Sequence, residues 1–109
     1  MPLFIRQNCN FYTHRKTARL QAIIGDAALW LPPRWWSYAA EHQPDGNFEK
    51  YFAPELAHLL NYQGNPHQMV EALIQSGFAD ADPLRIHDWE DYNGYHKAFS
   101  ERGKKVATA

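Results

Sequence analysis

Apolar residues in this chain fall into short runs at helical spacing, broken by prolines and glycines. Leu20, Ile23 and Ile24 recur at i, i+3 and i+4, the signature of one buried helical face. Thr13 precedes them as the expected N-cap. Gly25 is expected to end this first helix in a left-handed conformation, and Asp26 to cap the next turn. Residues 26–31 read as one short helical turn. Pro32 and Pro33 interrupt the pattern, and proline costs least at the first helical position. A second helix is therefore predicted from Pro33 to about His42, with Trp35, Tyr38 and Ala39 facing inward and Leu31 near its entry. Gln43-Pro44-Asp45-Gly46-Asn47 reads as a turn.

The next segment predicts two helices in close succession. Pro54 and Glu55 open the first of them, with Phe52, Leu56, Leu59 and Leu60 as its apolar stripe. Tyr62-Gln63-Gly64-Asn65 is a short connection. Asn65-Pro66-His67-Gln68 then reads as N-cap, N1 proline and N3 glutamine. Met69, Val70, Leu73 and Ile74 form the buried face of the second helix of the pair, and Gly77 stops it. Two short helices joined by a glycine-containing connection fit a helix-turn-helix. Phe78–Ala81 reads as a strand, Asp82-Pro83 as a tight turn and Leu84–His87 as the return strand. A hairpin in that place is a wing. Leu3 and Ile5 suggest an edge strand at the start. Tyr95, Phe99, Arg102 and Val106 suggest a last helix, which Gly103 weakens. The expected fold is mainly α (α+β): a winged helix-turn-helix domain over residues 1–90, with a small β-hairpin wing and a C-terminal helical tail over 91–109.

Composition agrees with one folded domain. The chain has 109 residues, a usual domain length, and 15% are aromatic, which argues against disorder. Cys9 is its single cysteine, so an intrachain disulfide is excluded and a cytoplasmic setting is expected. No apolar run approaches the ~20 residues that span a bilayer, and the first residues do not read as a signal peptide. Neither membrane association nor secretion is expected.

Net charge is −1 but strongly segregated. Residues 1–25 carry +4 from Arg6, Arg15, Lys16 and Arg19. Residues 26–92 carry −8, and residues 93–109 carry +3, from Lys97, Arg102, Lys104 and Lys105 against Glu101. An acidic middle between basic ends restricts where a polyanion can be met.

Several stretches together resemble the N-terminal winged-helix module of phage-type replication initiators and replisome organisers, including the primosomal DnaD-type proteins. They are His14-Arg15-Lys16-Thr17 with Leu20 and Gly25; Arg34-Trp35-Trp36 leading through Ala40-Glu41 to Pro44-Asp45-Gly46; Val70-Glu71-Ala72-Leu73 with Gly77-Phe78; and Ile86-His87-Asp88-Trp89. They span most of residues 14–96 and are chiefly fold signatures. The resemblance implies DNA-associated work in replication initiation, through DNA contact, self-association or contact with other replication proteins. The second, partner-binding domain of such proteins has no counterpart in these residues.

Charge decides among the candidate sites. In a conventional helix-turn-helix the second helix enters the major groove. Here that helix, Pro66 to Ser76, has no Lys or Arg and carries Glu71. Gln68, Gln75 and His67 are able to bond a base edge, but nothing beside them neutralises phosphate, so a solvated polar face is the stronger reading. The nucleic-acid candidates are therefore Arg6, Arg15, Lys16 and Arg19, with Arg85 on the wing and Gln68 on the helix. The competing reading pairs these cations with the acidic middle. Trp35 is expected in the core. Trp30 and Trp36 are candidates for a self-association surface, with Tyr95 and Phe99 on the tail. His14, His42, His58, His67, His87 and His96 show no ligand spacing, and no phosphate loop or nucleophile elbow occurs, so no metal, cofactor or catalytic residue is expected. Two functions remain open: a non-enzymatic DNA-associated adaptor touching duplex DNA through basic flanks, or a protein-interaction or dimerisation module that is a homo-oligomer and does not bind DNA.

Overall fold

The computed structural model describes residues 11–89. The expected edge strand at Leu3 and Ile5, the tail helix, and the residues Arg6, Cys9, Tyr95, His96 and Phe99 lie outside the described residues. Within them the chain is mostly helical, with one small antiparallel hairpin.

Helix α1 spans Arg15–Ile24. Its N-cap is His14, not Thr13: the His14 Nδ1 accepts from the Lys16 backbone N–H at 3.1 Å. Thr is the better capping residue by preference, but Thr13 belongs to the 3₁₀ turn Phe11–Thr13 that comes before the cap. Leu20 is fully buried, as the spacing requires, while Ile23 and Ile24 are half-buried. Thr17 is also fully buried, and its hydroxyl donates to the Phe11 carbonyl. Gly25 has φ +76 and ψ −151, a positive φ outside the left-handed helical well. A 3₁₀ turn, Gly25–Leu29, comes directly after. Asp26 does not cap it; its carboxylate accepts from Gln21 Nε2 instead.

Helix α2, Leu31–His42, begins two residues before the predicted start. The first four N–H groups of any helix lack intrahelical partners, so Pro32 and Pro33 fit in its first turn as well as a single N1 proline does. Trp35, Ala39 and Leu31 are fully buried, and Tyr38 is half-buried. The turn after α2 is built around Asp45, whose carboxylate accepts from the Asn47 backbone N–H and from Gln43 Nε2, both at 3.0 Å.

Helices α3 (Ala53–Leu59) and α4 (Pro66–Ser76) pack on each other, and α4 also packs on α1. Phe52 is the N-cap of α3, and its backbone N–H donates to Glu55 Oε1 at 3.2 Å. The extended backbone of that cap turns the Phe52 ring outward, leaving it 76% exposed, and Leu59 is 40% exposed. The predicted apolar stripe therefore shrinks to Leu56 and Leu60, joined by Ala57. Helix α4 starts and stops where the sequence places it. The Asn65 carboxamide accepts from the Gln68 N–H at 3.0 Å, and Gly77 caps the end with φ +94.

Strands β1 (Ala79–Asp80) and β2 (Arg85–Ile86) are shorter than predicted, because the turn takes all of Ala81–Leu84. Ala79 pairs with Ile86 on the buried side and Asp80 with Arg85 on the other. On its outer edge Arg85 bridges to Asn47, with Phe48 N–H to Leu84 O at 2.8 Å and Ile86 N–H to Gly46 O at 3.0 Å. The segment after α2 is thus held beside β2 by an isolated β-bridge. Phe48, which no periodic pattern marks, becomes fully buried there against Trp35, with ring centroids 5.3 Å apart.

Candidate nucleic-acid interface

Three predicted cations stand on α1. Arg15 and Arg19 are exposed, and Lys16 is half-buried. The aliphatic stem of Lys16 lies over Gly77: a Cβ placed on that glycine would come within 3.2 Å of Lys16 Cε. Lys16 thus sits at the C-terminal end of α4, where the helix dipole favours a cation. Arg85, half-buried, lies in β2 and bridges to Asn47, away from the tip of the hairpin. Among the described residues these cations do not pair with the acidic middle. Every ion pair there involves a histidine, and no Lys or Arg lies within 4.0 Å of a carboxylate.

The acidic groups gather elsewhere. His87 sits between two carboxylates, Nδ1 at 2.8 Å from Asp80 and Nε2 at 3.3 Å from Asp88. With Asp82 in the turn, the hairpin carries three carboxylates against the one guanidinium of Arg85. On α4, His67, Gln68, Glu71 and Gln75 are exposed, and Gln75 Nε2 donates to Glu71 Oε1 at 3.1 Å. Gln68 therefore shares its face with a carboxylate and with no cation.

The two aromatic candidates among the described residues, Trp30 and Trp36, are half-buried. Trp36 packs edge-on against Phe11, centroids 5.6 Å apart, and tilts against Phe78 at 6.2 Å. Trp30 carries the Arg34 guanidinium 4.6 Å above its ring. Arg34 also donates to the Leu60 carbonyl at 3.0 Å, tying the start of α2 to the end of α3. The i, i+4 spacing of Trp30 and Arg34 is the sequence signal for this contact, while the link to Leu60 has none. The hydroxyl pair of Tyr38 and Tyr51, 3.3 Å apart, likewise has no sequence signal. That contact, chiefly, together with partial burial, pushes the Tyr51 pKa up to about 12.

Among the described residues no three His, Cys, Asp or Glu side chains converge as metal ligands, and no helix is long and apolar enough to cross a membrane. No protein-family profile, curated protein or solved structure matches this chain.

Proposed function

We propose that this chain is a winged helix-turn-helix module, like those of the replication initiators it resembles, acting as a cytoplasmic, non-enzymatic adaptor that touches duplex DNA through basic residues of α1. The element order supports the fold reading: two helices, the β-bridge at Asn47, then α3, α4 and the hairpin, with β2 between β1 and the Asn47 bridge. In such a fold α3 and α4 are the helix-turn-helix and the hairpin is the wing.

The observation that carries the DNA reading is that Arg15, Lys16 and Arg19 project from one helix without a carboxylate partner among the described residues. Phosphate neutralisation by such cations supplies most non-specific affinity. The test is a titration of random duplex DNA at low and moderate salt. Binding that weakens steeply with salt supports the reading, and no binding at low salt sinks it.

A second reading, a dimerisation module or a dock for other replication proteins, is favoured by the outward ring of Phe52, by half-buried Trp30 and by the exposure of Leu59. Sedimentation across a concentration series separates a dimer from a monomer.

A further inference from the structure

We infer that the duplex contact is a single ridge of α1, Arg15–Ala18–Arg19–Ala22, which grips phosphates without reading base sequence. This rests on the DNA reading above and narrows it to two side chains.

Positions 15, 18, 19 and 22 share one helical face, and all four are exposed. Arg15 and Arg19 are one turn apart, with Cβ atoms roughly 5–6 Å from each other. Two local effects oppose that placement. Like charges at i, i+4 repel by a few tenths of a kcal/mol, and Arg15 lies in the first turn, where the dipole disfavours cations. Among the described residues neither arginine has a carboxylate within 4.0 Å to offset those effects. Ala18 and Ala22 complete the ridge with neither bulk nor acid, so a surface can approach both guanidinium groups at once. Each planar fork matches a phosphate, with two parallel charge-assisted hydrogen bonds.

Lys16 is accounted for differently, since its stem covers Gly77 at the end of α4. The elements that would read bases are turned against the duplex by their charge. Helix α4 offers Glu71 beside Gln68, and the hairpin sets Asp80, Asp82 and Asp88 against the single cation Arg85. A contact confined to α1 reaches backbone alone, and backbone contacts carry no sequence information directly.

The experiment is fluorescence anisotropy on the full chain with three unrelated duplexes of equal length, between 50 and 200 mM salt. It compares the wild type, Arg15→Gln/Arg19→Gln and the charge control Lys50→Gln. The wild type binds all three duplexes within about threefold. Each phosphate contact contributes roughly 0.9 to the slope of log affinity against log salt, so the double variant flattens it by about 1.8. Over that fourfold salt range the wild type then loses about 12-fold more affinity than the double variant. Lys50→Gln keeps the wild-type slope, and circular dichroism shows the double variant melting no lower than wild type. A wild-type slope in the double variant, an equal flattening in Lys50→Gln, or tenfold discrimination among the duplexes overturns the ridge alone. A wild type that binds no duplex at 50 mM salt overturns the DNA reading with it.

Discussion

The indole N–H of Trp89 donates to the Pro44 carbonyl at 2.7 Å, joining residues 45 apart in sequence. Its ring lies against Gly46, which has φ +71 and is buried. The exit of the hairpin is thereby fastened to the turn after α2. A Cβ at Gly46 would fall 2.6 Å from Trp89 Cγ, closer than any tolerated contact. Gly46→Ala combines that clash with a left-handed backbone that costs roughly 1–2 kcal/mol by itself. The expected loss is about 2–5 kcal/mol, since overpacking adds a further 1–3. Urea unfolding followed by Trp fluorescence measures it.

Thr17 is completely buried in α1, and its hydroxyl satisfies the Phe11 carbonyl. Thr17→Val keeps the shape and removes this donor; the Phe11 carbonyl keeps the longer bond from the His14 N–H at 3.3 Å, so the expected loss is that of one hydrogen bond, about 0.5–1.5 kcal/mol. Denaturant midpoints of the two proteins should differ accordingly. An unchanged midpoint would mean that the His14 N–H alone satisfies the Phe11 carbonyl.

Arg34 joins α2 to α3 through the Trp30 ring and the Leu60 carbonyl. Arg34→Ala removes both contacts, and a loss of about 1 kcal/mol is expected. For a chain of this size that lowers Tm by roughly 4–8 °C. Arg15→Ala and Arg19→Ala, which break no ion pair among the described residues, leave Tm within about 2–4 °C, because exposed sites of this kind shift stability by under ~0.5 kcal/mol. Thermal melts of the three variants show whether the arginines divide into structural and unpartnered classes.

The Tyr51 hydroxyl titrates near 12, above its ordinary value of 10, chiefly because Tyr38 holds its protonated form. A pKa raised on folding stabilises the protein fully below pH 10. That contribution is lost as pH rises from 10 to 12, since the unfolded chain releases the proton first. Absorbance titration of the phenolates should show a late component that Tyr38→Phe moves back toward 10. Stability should fall across the same window in the wild type and less steeply in Tyr38→Phe.

Much of the helical framework is legible in the sequence where local chemistry is decisive. Asn65, Pro66 and Gly77 mark both ends of α4 because a side-chain cap, a proline in the first turn and a left-handed glycine each act within a few residues. Other features depend on contacts distant in sequence and leave no periodic trace. Phe48 is buried because β2 pairs with its backbone, and Trp89 because it meets the turn at Pro44. The narrower apolar stripe of α3 has a local cause: Phe52 is a cap with extended backbone, so helical phase does not apply to it. At the candidate site, the identity of the cations and their segregation are plain from the residues alone. Whether Arg15 and Arg19 meet the acidic middle depends on tertiary geometry, which sets the carboxylates of the hairpin around His87 instead.

Amide chemical-shift mapping of the labelled protein during addition of a random duplex at low salt locates the contact residue by residue. Perturbations concentrated on residues 15–22 of α1 are expected, with α4 and the turn of the hairpin little changed. Perturbations concentrated on residues 65–75, or none at saturating duplex, would rule out a contact through α1.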